Sequence, residues 1–407
     1  MVLIYSILIR LYGVAVWCAS AFLPKARQWS AGRKGLFQQL ERKIPEKKQW
    51  IWMHVSSLGE FEQGRPLLEK IRDRHPGVAI LLTFFSPSGY AVRKDFHGAD
   101  LVTYMPLDTP GNARRFVGTV RPAVALFVKY DIWYHHLYAL EQAEVPTFLI
   151  SANLRSDQVY FKPWGKFIRS RLGNLQTIFT QTESCAAMLK DKGFRNVSHA
   201  GDTRLDRVLT IARTEHDFGW LKTCLGEGPV LVAGSTWPED ERRLLPAILE
   251  LDVPAIVAPH EIGTSRLEEI AGQLPGAVRL SELRAAPRPV RWVIVDTIGE
   301  LAFLYAMGSV AYIGGGFGKG IHNILEPVAY GLPVIIGPRY QKFAEAVALK
   351  EAGAVTVITT SEDMQSAWLN FSDAGNRKQV RTVIDAYIKE HRGATERIYD
   401  VVKGSID

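Results

Sequence analysis

Short, uniformly apolar runs alternate with longer stretches of helical spacing along most of this chain. In the first half the runs are Trp50–Val55, Val78–Phe85, Leu101–Tyr104, Ala123–Phe127, Thr147–Ile150 and Thr177–Thr180. In the second they are Val230–Ala233, Ala255–Ala258, Val293–Val295, Ser309–Ile313 and Leu332–Ile336. A run apolar at every position suits a strand covered on both faces. Helix-sized segments between the runs, such as Phe61 to Arg74, predict parallel βαβ units with right-handed crossovers. The pattern restarts at Val230 after the turn Gly226-Glu227-Gly228-Pro229. At 407 residues the chain is long for one core. The expected architecture is α/β, with two Rossmann-like doubly wound domains facing a cleft and an N-terminal membrane-anchor helix. Residues 1–34 form the anchor and its basic flank, 35–212 the first domain and 213–407 the second.

The anchor is read from Val2–Leu23, apolar but for Arg10 and a few small or aromatic polar residues, with Lys25, Arg27, Arg33 and Lys34 behind it. About 20 such residues can span a bilayer, and cations after a span hold that end in the cytoplasm. A cleaved secretory signal is the rival, with Ala19-Ser20-Ala21 as its cleavage site. Against it, no Lys or Arg precedes the apolar run and Arg10 interrupts it. A helix lying in the interface is a third option, since Arg10 can snorkel. The uncleaved anchor, with the body on the cytoplasmic face, is the favoured reading.

Net charge is +7, which suits an anionic partner. No arginine-rich run interleaved with aromatics is present, so nucleic acid is the weakest choice. Cys18, Cys185 and Cys224 are far apart and form neither a metal motif nor a disulfide framework. No metal and no cofactor are expected.

Chemistry concentrates at strand ends. In the second half a glycine loop, Gly314, Gly315, Gly316, Gly318 and Gly320, follows a strand and leads to Asn323-Ile324-Leu325-Glu326 before Pro327. Strand, glycine loop and helix start can form an anion site. Glycines alone indicate only a tight turn, but Glu326 is placed to accept hydrogen bonds from sugar hydroxyls. In the first half, Ser56-Ser57-Leu58-Gly59-Glu60 follows the strand ending at Val55. Glu60 reads equally as a general base or as a helix stabiliser, and the helix dipole there favours its anion.

Several segments together resemble the Kdo transferases (3-deoxy-D-manno-octulosonic acid transferases) of lipopolysaccharide synthesis. They are HVSSLGEFEQGRPLL, TFFSPSGY, VKYDIWYHHL, GDTRLDR, AGSTWPEDE, VAPHEIGTSRLEE, DTIGELAFLYAMGS and GGGFGKGIHNILEPVAYGLPVIIGP. The resemblance implies a GT-B type glycosyltransferase that moves Kdo from CMP-Kdo to a hydroxyl of the lipid A precursor, with inversion. By it, Glu60 is the general base, and Asp131 and Arg204 complete the catalytic set. Ser235, Thr236, Pro259, His260, Ile298, Gly299, Glu300, Asn323, Ile324, Leu325 and Glu326 hold the donor. Two positions depart from the family: Lys129 replaces the first of two acids, and Arg204 stands where a lysine is found. Asp131 also reads as a buried structural acid, Arg204 as a surface ion pair, and Ser235 and Thr236 as helix caps. The implied partners are CMP-Kdo, the lipid A precursor and an anionic membrane surface, at the cytoplasmic face of the inner membrane. A sugar-nucleotide epimerase, another GT-B transferase and an exported two-domain binding protein are the alternatives.

Overall fold

The computed structural model describes residues 1–44 and 48–406. The chain divides into two compact units, Met1–Asp206 with Arg392–Asp407, and Arg207–His391.

The first unit is built on a parallel sheet of β1 (Trp50–Val55), β2 (Ala79–Phe84), β3 (Leu101–Tyr104), β4 (Pro122–Val128), β5 (Thr147–Ala152), β6 (Thr177–Thr180) and β7 (Val197–His199). The strand order is β3-β2-β1-β4-β5-β6-β7. Alternate residues of β1 feed two cores. Trp50 and Trp52 pack with Phe116 and Phe127 on one face, and Ile51, Met53 and Val55 with Phe61 and Leu67 on the other. This two-sided burial is why the strand is apolar at every position but His54.

The second unit repeats the plan with β8 (Leu231–Thr236), β9 (Ala255–Pro259), β10 (Val278–Arg279), β11 (Trp292–Ile294), β12 (Val310–Ile313), β13 (Val334–Ile336) and β14 (Val355–Val357). Its order is β10-β11-β9-β8-β12-β13-β14, also all parallel. The order turns back between β1 and β4 in the first sheet and between β8 and β12 in the second, where β11 also returns to lie between β9 and β10. Such a switch point opens a crevice beyond the carboxyl ends of the flanking strands, where open α/β sheets bind ligands.

The expected strands are present. Among the described residues there are three more, β7, β10 and β14, each of two or three residues and each at a sheet edge.

Residues 392–407 do not belong with the second unit, as a boundary near residue 212 implied. Ile398, Tyr399, Val402 and Ile406 join the core that holds Leu67, Leu68 and Ile71 of the first unit. Asp206, where the chain leaves that unit, accepts hydrogen bonds from the amides of Gly393 (2.6 Å) and Thr395 (2.7 Å), where it returns.

Helix α1 (Val2–Ala19) is long and apolar enough to cross a membrane, by length and composition. It lies along the first unit. Tyr5 Oη donates to Asp108 Oδ2 at 2.6 Å, and the buried Ser6 hydroxyl meets His135 Nε2 at 2.8 Å. Farther along, Gly13 packs so closely that a Cβ there would come within 2.7 Å of Leu107. A helix of this length is about 27 Å long at 1.5 Å per residue. Standing upright in a bilayer, it would carry its first turn that far from the unit. With contacts at its start and middle it stays packed along the first unit. Helices α2 (Pro24–Ala31) and α3 (Leu36–Lys43) follow. Arg33, between them, donates to the carbonyls of Trp29, Phe85 and Met105 at 2.9–3.2 Å and stacks on the Trp29 ring.

Candidate active site

Beyond the carboxyl end of β1 the chain turns at Ser56 and enters α4 (Leu58–Arg74) with Ser57 as its N-cap. Glu60 Oε2 accepts from the amides of Ser56 (2.7 Å) and Ser57 (2.9 Å), and the Ser57 hydroxyl accepts from the Glu60 amide at 3.4 Å. This closes a capping box, so the helix-stabilising reading of Glu60 holds in full.

The carboxyl does more than cap. Asp131, beyond the end of β4, is buried on the other side of the same switch point. Its Oδ1 accepts from the Ser56 hydroxyl at 2.7 Å. Burial pushes Glu60 above the usual carboxylate range, against the serine amides and the positive Lys129 that pull it down. Burial, then the Glu60 charge, push Asp131 well above that range, against the hydrogen bonds it accepts from Ser56. Two carboxyls so close cannot both ionise freely, and the pair titrates as one system. The dipole argument had Glu60 favouring its anion; burial outweighs the dipole and moves it the other way.

His54 Nε2 stands 3.6 Å from Asp131 Oδ2. His54 is fully buried, held by Thr83 Oγ1 at 2.9 Å from Nδ1, and burial drives its pKa well below the ordinary value. It is therefore a neutral neighbour that leaves the carboxyl pair its charge. Lys129, the departure from the family pattern, has a left-handed backbone (φ 68°). Its charge acts on Glu60, so an ammonium now sits where an acid was expected.

Arg204 lies in the first turn of the helix Thr203–Arg213, and its Nε donates to Asp202 Oδ1 and Oδ2 at 3.1 and 3.0 Å. The ion-pair reading is thus realised. That helix start is tied to α4: Thr203 Oγ1 donates to the Gln63 carbonyl at 2.5 Å, one turn past Glu60.

The second unit's switch point carries the other expected residues. Ser235 bulges at the end of β8 with φ 53°. Gly314 passes so near that a Cβ would lie 2.2 Å from the Ser235 carbonyl, which is why only glycine fits there. Thr236 is buried, and its hydroxyl donates to Glu241 Oε1 at 2.7 Å, so it faces inward and not toward a ligand. The glycine loop is closed in a way its sequence does not reveal. Asp240 accepts from Gly315 N (2.8 Å), Tyr312 Oη (2.8 Å) and Trp237 N (2.9 Å). The amides of Gly314, Gly318 and Gly320 donate to backbone carbonyls. The cradle of N–H groups expected from the glycines is largely occupied by the protein itself.

Pro259 ends β9, and His260 follows it, exposed. His260 stacks over Trp237 (ring centroids 4.5 Å apart) and His322 (4.6 Å), which lie side by side with Trp237 Nε1 donating to His322 Nε2 at 2.9 Å. Burial, then the His260 charge, lower the His322 pKa to about 4. Asn323 Nδ2 donates to Glu326 Oε1 at 3.0 Å, and Asn323 Oδ1 accepts from Leu325 N at 3.2 Å. Burial raises the Glu326 pKa, opposed by Asn323 and by the charge of Arg207. Ile324 and Leu325 are core side chains that can offer only backbone. Ile298 and Gly299 lie on an exposed turn, and Glu300 pairs with Arg284 at 2.7 Å.

The structure therefore joins Glu60 with Asp131, and Asn323 with Glu326. It sets His260 in an aromatic stack and turns Thr236 away. Asp240, Trp237, His322 and Arg207 were not anticipated as site residues. The clue to the stack was two ring residues directly after strand ends, at positions 237 and 260, and a third at 322 beyond the glycine loop.

Residues 30–207 match the family model described as 3-deoxy-D-manno-octulosonic-acid transferase (kdotransferase). The chain is 27% identical over 374 residues to a 3-deoxy-D-manno-octulosonic acid transferase of Bordetella pertussis, covering 87% of this chain and 86% of that one. It is 26% identical to the Haemophilus influenzae enzyme of the same name, over 93% and 92% of the two chains. The chain is thus similar to Kdo transferases over most of its length. It is a glycosyltransferase, which decides against the epimerase and the exported binding protein that the sequence left open. A putative UDP-N-acetylglucosamine 2-epimerase from Listeria monocytogenes superimposes with a TM-score of 0.63 over 88% of this chain and 97% of its own, at 14% identity. At that identity the likeness concerns the fold, the pair of Rossmann-like units of GT-B proteins.

Proposed function

We propose that this Kdo transferase moves Kdo from CMP-Kdo to a hydroxyl of the lipid A precursor in lipopolysaccharide synthesis, with Glu60 as general base. The observation that carries the reading is the coupled Glu60–Asp131 pair at the switch point of the first unit. A base works best with a pKa near the working pH, and burial moves Glu60 in that direction. The acceptor oxygen forms its bond to the anomeric carbon as the bond from that carbon to the CMP phosphate breaks. The leaving phosphate takes the electron pair, and Glu60 takes the hydroxyl proton. One carboxylate base suffices, because the phosphate needs no proton to depart. Displacement from the face opposite CMP inverts the centre. Asp131, holding its proton, leaves the single negative charge on Glu60. Arg204 offsets charge that develops during transfer.

The second unit holds the donor in this reading. The His260 stack offers a flat surface to the cytosine ring. Asn323, Glu326 and the backbone of Ile324 and Leu325 hold the ribose and phosphate side, with Ser235, Pro259 and the turn Ile298-Gly299-Glu300 around it. In this reading the first unit works at the cytoplasmic face of the inner membrane, where a lipid acceptor arrives; the exposed apolar face of α1 and the cations behind it support this. The test is incubation with CMP-Kdo and lipid A precursor, with products resolved by mass. A lipid gaining Kdo is the expected result. Release of CMP without a Kdo-bearing lipid refutes the acceptor assignment.

A further inference from the structure

A cavity of about 640 Å³ opens where α1 meets α2, α3 and the loop after β3. Its apolar wall includes Val14, Trp17, Trp29, Leu36, Phe37 and Leu107. Its charged lining among the described residues is Arg10, Arg33 and Lys34, with no Asp or Glu. The hydrogen bonds of Arg33 go to carbonyls, which leave its positive charge unneutralised. Two buried donors on the wall, Trp29 Nε1 and Ser30 Oγ, have no hydrogen-bond partner. Trp29 is only 9% exposed. A buried indole N–H and a hydroxyl left unpaired are costly, and oxygen acceptors from a bound molecule would satisfy them.

The required guest has an apolar chain, a negative charge and oxygen acceptors close to both. We propose that this cavity binds one anionic phospholipid of the bilayer, its acyl chain against Val14 and Leu107 and its phosphate among Arg10, Arg33 and Lys34. The bilayer is the source that the surroundings favour. The cavity opens beside the outer face of α1, where Leu3, Ile4, Ile7, Leu8 and Leu11 are exposed. That face and the cavity form one apolar surface edged by cations, the pattern of a helix lying in the membrane interface. The bound lipid fastens α1 flat against the leaflet. This site is separate from the carboxyl pair and does not depend on the proposed acceptor chemistry.

Native mass spectrometry of the full-length protein, exchanged into mixed micelles of phosphatidylglycerol or of phosphatidylcholine with the same acyl chains, tests this. One phosphatidylglycerol should stay with each chain, and phosphatidylcholine should be retained at least ~10-fold less, as expected for cations facing an anionic lipid. The double variant Arg10→Glu with Lys34→Glu should lower phosphatidylglycerol retention by a similar factor. Val14→Trp, at an exposed position on the cavity wall, should block it by filling the space while both cations remain. Inorganic phosphate should leave the lipid in place. Equal retention of the two lipids, or retention that survives both variants, overturns the proposal. Displacement by phosphate alone overturns it too. Stoichiometric displacement by lipid A precursor would make the cavity an acceptor subsite and equally refute it.

Discussion

The Ser56 hydroxyl donates to Asp131 at 2.7 Å while the Ser56 amide donates to Glu60 at the same distance. One residue at the end of β1 thus holds both carboxyls of a buried pair.

The pair should make the first unit less stable at neutral and alkaline pH than it could be. Both carboxyls have raised pKa values in the folded state, so each binds its proton more tightly folded than unfolded. Their stabilising contribution is complete below the unfolded pKa and is lost as pH rises through the folded values. Asp131→Asn keeps the shape and the acceptor for Ser56 but cannot ionise. Scanning fluorimetry should show its melting temperature above wild type at pH 8 by ~2–4 °C, the shift that about 1 kcal/mol gives at this size. The gap should shrink as pH falls toward 4. A variant less stable than wild type at pH 8 would mean that the Asp131 charge is compensated.

The same substitution should simplify the titration. Two coupled carboxyls release protons in two macroscopic steps. Carbon-13 NMR of the side-chain carboxyls should show Glu60 changing twice in wild type and once in Asp131→Asn. Unaltered titration of Glu60 in the variant would uncouple the two groups.

At the first turn of α1 the Tyr5–Asp108 bond should act as a clamp. Burial works against the Asp108 carboxylate, but hydrogen bonds from His136 and Tyr5 hold its pKa below the ordinary value. The clamp is therefore complete above the ordinary aspartate pKa and fails as pH drops through the lower folded one. Tyr5→Phe removes a hydrogen bond to a charged group, ~1.5–3 kcal/mol. Hydrogen exchange in the first turns of α1 should accelerate while β1 stays protected. Unchanged exchange in α1 would show that packing of Tyr5 alone holds it.

Glu326→Ala should weaken CMP binding by ~1.5–3 kcal/mol if a charge-assisted hydrogen bond to the nucleotide is lost. Calorimetry reads this directly. Full CMP affinity in a folded variant would take Asn323 and Glu326 out of the donor site.

Much of this was written in local sequence. Continuous apolar runs marked the central strands because both their faces are covered, and Ser-Ser-Leu-Gly-Glu announced a helix start with an acid in it. The short strands β7, β10 and β14 carry too few residues to form a pattern. The return of residues 392–407 to the first unit was illegible, since an amphipathic helix such as Ala394–Val402 does not declare which sheet it covers. The closure of the glycine loop depends on Asp240, some 75 positions before Gly315, and no local spacing joins them. The raised pKa of Glu60 likewise needed the depth of its burial, which a first-turn position does not convey.

Glu60→Gln tests the role of the carboxyl pair most directly. Glutamine keeps the size of the side chain and an oxygen for the Ser56 and Ser57 amides, but it cannot accept the acceptor's proton. Transfer from CMP-Kdo should fall by at least ~10²-fold, the low end for loss of a general base, with CMP affinity little changed. A Glu60→Gln protein that transfers Kdo at close to the wild-type rate would contradict the assignment of Glu60 as the base.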